Sequence, residues 1–127
     1  PRVGSFDAGW GIAYLSMVIG QKRAREVWMF CQRYSAETAE KWGLVNKVVP
    51  KEKLMEEARN WAKTAAGLSP TALRFLKAAA NAASAQVSGI AQLHDAGLDL
   101  FVQTEEGWEG RRAFDEKRQP DFSKYRK

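Results

Sequence analysis

The stretch VGSFDAGWG, residues 3–11, sets Ser5 and Asp7 two positions apart with Phe6 between them. On extended backbone alternate side chains fall on opposite sides, so Ser5 and Asp7 would project together while Phe6 anchors the other face. A carboxyl held that way in an apolar pocket is desolvated, which raises its pKa and lets it donate a proton to a reacting carbonyl. A plainer use competes. Asp is a favoured helix N-cap, and a helix beginning at Ala8 or Gly9 would take Asp7 as its cap. Spacing alone leaves both uses open.

Other constellations fall away. One Cys, Cys31, and one His, His94, cannot assemble a zinc cluster, and His94 has no HExxH context. His94 is expected to be a satisfied or exposed helix residue. The loop glycines lack the GK[ST] of a phosphate loop, no GxGxxG occurs, and GIAYLS is no nucleophile elbow. Trp28 falls in an apolar stripe and by periodicity reads as core.

The elements that would position these residues are mostly helical. Apolar residues from Gly9 to Ile19 predict a short, largely buried helix that Gly20 closes. QKRAREVWMFCQR places Ala24, Val27, Trp28 and Cys31 on one face. Ser35 caps AETAEKWG, and LVNKVV, residues 44–49, reads as a strand before Pro50. Helices follow at PKEKLMEEARNWAKTAAG and, from the Ser69–Pro70 start, at SPTALRFLKAAANAA. Ile90, Leu93, Gly97, Leu100 and Phe101 form the next stripe, and Thr104 with Glu105 and Glu106 opens a last helix to about Lys117. A single strand has no partner to pair with inside the chain, so its backbone groups must be satisfied elsewhere.

The 127 residues, 45% hydrophobic and 28% charged, suit one globular domain. The formal charge of +5 fits an anionic ligand, but the signs are mixed along the chain and no nucleic-acid motif is present, so no nucleic-acid partner is expected. No apolar run reaches the roughly 18 residues of a membrane span. A lone thiol in a helical stripe points to a reducing compartment, with the cytoplasm the simplest. The start at Pro1, without methionine, suggests a piece of something longer.

VGSFDAGWG, followed by IGQKRAREVW, AEKWGLVNKVVP, SPTALRFLKAAAN and TEEGWEGRRAFDEKRQPDF, resembles the C-terminal half of the crotonase (enoyl-CoA hydratase/isomerase) superfamily. Within it the chain is most similar to the naphthoate synthases, the 1,4-dihydroxy-2-naphthoyl-CoA synthase lyases of menaquinone biosynthesis. GLVNKVVP is shared widely across crotonases, whereas the GSFD loop and the EGR…F…KRQPDF ending are more specific. The resemblance implies an α/β crotonase-like (ClpP/crotonase) fold, a spiral of ββα units with a helical region packed on neighbouring subunits, as a homotrimer or a dimer of trimers. Residues 1–67 would end the spiral core, and residues 68–127 would form a helical oligomerisation and CoA-contacting region. The partner strands and the two N–H groups of the oxyanion hole would lie in an N-terminal half ahead of Pro1.

The implied reaction is an intramolecular Claisen-type condensation of o-succinylbenzoyl-CoA. By the resemblance Asp7 stands beside the attacked carboxyl and Ser5 hydrogen-bonds next to it. Trp28 matches a tryptophan that, in one subgroup, helps to hold a bicarbonate serving as base. Phe114 and Lys117 match positions that reach the nucleotide part of coenzyme A, commonly across a subunit boundary. No metal and no tightly bound cofactor are implied. One departure stands out: the family's LFY reads LFV here, with Val102 in place of a tyrosine. The alternatives are a cyclic β-keto acyl-CoA hydrolase or another enoyl-CoA hydratase/isomerase, and, for this chain alone, an inactive helical oligomerisation module.

Overall fold

A computed structural model describes residues 1–6 and 10–126. The chain forms two compact units, one of residues 1–33 with 87–127 and one of residues 34–86.

In the first unit, α1 (Gly11–Ile19) and α2 (Gln21–Phe30) make a helical hairpin. Gly20 turns the chain between them at φ +81°, a conformation that costs glycine nothing. Ala24 of α2 is fully buried, as its stripe predicts, but α1 is not the largely buried helix expected. Only its last residue, Ile19, is buried, while Tyr14, Met17 and Val18 stand exposed. The helix starts later than expected, and the N-cap position falls on Trp10, which makes no side-chain capping bond. Asp7 itself lies outside the described residues.

α6 (Val87–Phe101) and α7 (Glu105–Asp115) complete this unit. The apolar stripe read along α6 is covered only in part: Gly97 and Phe101 are half-buried, whereas Ile90, Leu93 and Leu100 are exposed, Leu93 at 70%. The covered face is Val87, Ala91, His94, Leu98 and Phe101, spaced by fours and threes. Both stripes satisfy helical periodicity, and only the position of α1 and the 3–6 loop selects between them. Thr104 caps α7, its Oγ1 accepting from the Gly107 N–H at 3.1 Å.

The second unit holds α3 (Ala36–Lys41), a 3-10 turn (Lys51–Lys53), α4 (Leu54–Ala66) and α5 (Pro70–Ser84). Ser35 and Ser69 cap α3 and α5, accepting from Thr38 and Ala72 N–H groups. The expected strand does not form, and no strand occurs among the described residues. Residues 44–46 bend, and residues 47–50 run without regular structure. Their donors go elsewhere: Leu44 and Val45 N–H reach the Ala39 carbonyl, and Val48 N–H reaches Glu40 Oε1 at 2.9 Å. A β-prone segment without a neighbouring edge has no ladder to join.

Candidate active site

The 3–6 loop is held by contact between two backbones. Gly4 adopts φ +65°, and its N–H donates to the Pro1 carbonyl at 3.2 Å. A Cβ on Gly4 would stand 2.9 Å from the Gly110 Cα, and one on Gly110 would run into the Val3 carbonyl oxygen. The loop therefore lies directly on the backbone of α7, a closeness that only paired glycines allow.

The C-terminal tail secures this contact from the other side. Glu109 of α7 is buried; its Oε1 and Oε2 accept from Arg118 Nη1 and Nη2 at 2.5 and 3.0 Å, and Oε1 also accepts from the Asp121 N–H at 2.8 Å. The fork of hydrogen bonds from Arg118, with the Asp121 amide, pulls the Glu109 carboxyl down to about 2. The tail then brings the Phe122 ring against Gly4, where an added Cβ would meet it at 3.1 Å. The EGR and KRQPDF segments, separated in sequence, thus close on the loop as one clamp.

A cavity of about 380 Å³ opens beside this clamp, lined by the 3–5 loop and by Val102, Trp108, Arg111 and Phe114 among others. Ser5 is half-buried there, and its hydroxyl makes only a marginal 3.5 Å contact with the Phe6 carbonyl. Phe114 is 79% exposed, a large apolar ring left uncovered at the cavity wall. Arg111 places its guanidinium 5.5 Å from the centre of the Trp108 ring and has no ion-pair partner among the described residues.

Phe6 points away from this cavity into a second one, where its ring meets Phe101 edge-on at 5.5 Å and His94 at 6.4 Å. Trp28 lines the second cavity, half-buried, with its indole Nε1 enclosed and unpartnered. His94 is not the satisfied or exposed residue expected from sequence: it is half-buried and its Nδ1 is enclosed without a partner. Ser5, Val102 and Phe114 are thus brought to one cavity and Trp28 to another. Lys117 lines neither; it follows α7 in a left-handed conformation at φ +54°.

The Enoyl-CoA hydratase/isomerase family model matches residues 1–125. The chain belongs to the enoyl-CoA hydratase/isomerase family. An enoyl-CoA hydratase from Mycobacterium avium subsp. paratuberculosis K-10 superposes with a TM-score of 0.88 at 25% identity, covering 96% of this chain and 50% of that one. A carnitinyl-CoA dehydratase from Mycobacterium avium 104 gives 0.87 at 23% identity, over 96% and 49%, a likeness of fold alone. An enoyl-CoA hydratase from Bacillus anthracis is 34% identical with a TM-score of 0.55, over 87% and 43%. The chain spans about half the length of these relatives, and the crotonase fold is shared over that half.

Within this enoyl-CoA hydratase/isomerase chain, sequence reasoning missed Trp108, Arg111 and His94 as cavity residues. Trp108 and Arg111 sit at i and i+3 on α7, next to Phe114 at i+6, a spacing that marks one helix face. His94 carried no such local signal, because its neighbours Phe6 and Trp28 are far away in sequence.

Proposed function

We propose that this chain is the C-terminal part of an acyl-CoA enzyme whose reaction is a naphthoate-synthase-like intramolecular Claisen condensation. The observation that carries the reading is the loop before Asp7 clamped on α7 by Gly4 and Gly110, which holds Ser5 at the edge of a cavity. In this reading Phe114, with Lys117 and Arg111, meets the nucleotide end of coenzyme A, a guanidinium and an ammonium being suited to phosphate. Ser5 and Asp7 meet the reacting acyl group.

The condensation needs a proton taken from the carbon beside the thioester, a bond from that carbon to the aromatic carboxyl carbon, and loss of the carboxyl hydroxyl as water. Asp7, as an acid, gives the proton that lets the hydroxyl leave, while Ser5 donates a hydrogen bond to the carboxyl oxygen. Trp28, which lines the second cavity, belongs in this reading to the pocket that holds a bicarbonate. Bicarbonate, when bound, supplies the base that takes the α-proton. Residues 1–67 belong in this reading to the end of the spiral core and residues 68–127 to the helical region of a trimer or hexamer.

Val102 favours a second reading. It lines the Ser5 cavity with two methyl groups and no donor. A substrate that needs no hydrogen bond there suits a hydratase or a cyclic β-keto acyl-CoA hydrolase equally well. Turnover of o-succinylbenzoyl-CoA by the whole protein, assayed against a 2-enoyl-CoA and a cyclic β-keto acyl-CoA, separates them. Asp7→Asn is expected to reduce condensation about 100-fold or more, the scale of one lost proton donor. An undiminished rate overturns the role given to Asp7, and hydrolysis without condensation establishes the second reading.

A further inference from the structure

Among the described residues no hydrogen bond joins residues 3–6 to α7. Their bonds are local: the Gly4 N–H donates to the Pro1 carbonyl, and the Ser5 hydroxyl makes its marginal contact with the Phe6 carbonyl. The position of the loop therefore depends on contact from two sides. Gly110 is one wall and the half-buried Phe122 ring is the other; a Cβ added to Gly4 would meet them at 2.9 and 3.1 Å.

Phe122 is held there by the residue that precedes Gly110 on α7. The two carboxylate oxygens of Glu109, which is 7% exposed, accept three hydrogen bonds from the tail: from Arg118 Nη1, from Arg118 Nη2 and from the Asp121 N–H. Arg112 Nη2, at 3.9 Å, is too distant to replace any of them. Departure of the tail would thus strand a buried carboxylate, a costly state. Phe122 follows Asp121 directly, and its own carbonyl accepts from the Tyr125 N–H at 3.1 Å, so its backbone is fixed on both sides.

We propose that Glu109 is a positioning residue for Ser5: its hydrogen bonds to Arg118 and Asp121 hold Phe122 against Gly4 and so fix the Ser5 hydroxyl at the cavity edge. The proposal rests on the reading that places Ser5 at the reacting acyl group, and it adds the device that sets Ser5 in place. Neither Glu109 nor Phe122 lines the cavity, so both act through the loop. Withdrawal of the ring frees the loop on one side, and Ser5 then spends less time in its productive geometry. Residues assigned to coenzyme A keep their places on α7, so the loss falls on kcat rather than on KM.

The test pairs a signal from the loop with kinetics, both on the whole protein. Valine methyl labelling reports on Val3, whose signals are identified by their loss in Val3→Ile. In Glu109→Gln and in Phe122→Ala these signals are expected to shift and sharpen toward free-chain positions, while those of Val18 in α1 and Val27 in α2 hold. Phe122→Ala leaves the three bonds of Glu109 in place, so a role confined to stabilising α7 would not move the Val3 signals in this variant. Phe122→Leu, which keeps an apolar wall, should restore much of the wild-type spectrum. Kinetics use whichever of o-succinylbenzoyl-CoA, a 2-enoyl-CoA and a cyclic β-keto acyl-CoA the wild type turns over fastest. For Glu109→Gln and Phe122→Ala, kcat should fall about 10–100-fold with KM held within about threefold. If Glu109→Gln does not fold, Arg118→Lys, which keeps the charge and loses the fork, takes its place. Val3 signals unmoved in Phe122→Ala overturn the proposal, and so does an unchanged kcat once they have moved. A fall in kcat on another acyl-CoA, with no condensation by the wild type, supports the role of Glu109 and overturns only the condensation reading.

Discussion

Lys117, proposed above as a coenzyme A contact, holds a left-handed backbone conformation. It closes α7 in the left-handed region, with its N–H donating to the Phe114 carbonyl at 3.1 Å and the next N–H, of Arg118, donating to Ala113 at 3.0 Å. This is the helix-ending pattern that glycine normally fills, and a lysine there costs about 1 kcal/mol in backbone strain. A lysine kept at that cost is consistent with work for its ammonium group. Lys117→Gly should therefore raise stability by about 0.5–1 kcal/mol, seen as a higher Tm, while raising KM for an acyl-CoA several-fold at nearly constant kcat. A variant that is more stable with an unchanged KM removes Lys117 from the coenzyme A site. At this scale Ser5 was named from its spacing and Phe114 from the resemblance alone, and the fold brings both to one cavity. His94 was misread because its environment is assembled from residues 6 and 28, and no window along α6 contains either.

Among the elements, the clamp of α7, the tail and the 3–6 loop borders the cavity of the candidate site. Glu109 is its centre, and the depressed pKa of its carboxyl has a definite consequence for acid stability. A carboxyl that titrates lower in the folded protein is protonated first in the unfolded chain, so its contribution is complete above the ordinary value of 4.5. It is lost as pH falls from there toward about 2. Tm of the wild type should accordingly fall more steeply over that window than Tm of Glu109→Gln, which starts lower and has no carboxylate to protonate at this position. Parallel curves would show that the Arg118 and Asp121 contacts do not hold the tail in solution. The caps of α3, α5 and α7 were legible from Ser35, Ser69 and Thr104, because a cap is a bond between residues three apart. The face of α6 was not, since Ile90, Leu93 and Leu100 offer as good an apolar stripe as the one that is covered. The segment 44–49 failed for the complementary reason: its residues favour a strand, but pairing is decided by a neighbouring edge.

For the whole molecule the decisive observation is how little apolar surface the chain covers by itself. The unit of residues 34–86 buries no apolar side chain, and Leu54, Met55, Trp61, Phe75 and Leu76 are all more than half exposed. A unit of that size without a core does not reach useful stability alone, and exposed stripes of this kind drive association. The 127-residue chain should self-associate in dilute buffer, giving sedimentation coefficients that fall on dilution. A monomer that unfolds cooperatively at all concentrations would show that these faces need no cover. The sequence by itself determined the helices, most of their caps and, through the GSFD, GLVNKVVP and KRQPDF segments, the family that the match over residues 1–125 establishes. These are properties of short windows, where propensity and hydrogen bonding act between near neighbours. Only the tertiary structure decided which face of α6 is covered, that Ser5 and Phe6 serve separate cavities, and that Trp28 and His94 share one. Each of these depends on the close approach of Gly4 to Gly110 and of Phe6 to α6, contacts between segments about 90 or more residues apart that no local pattern encodes.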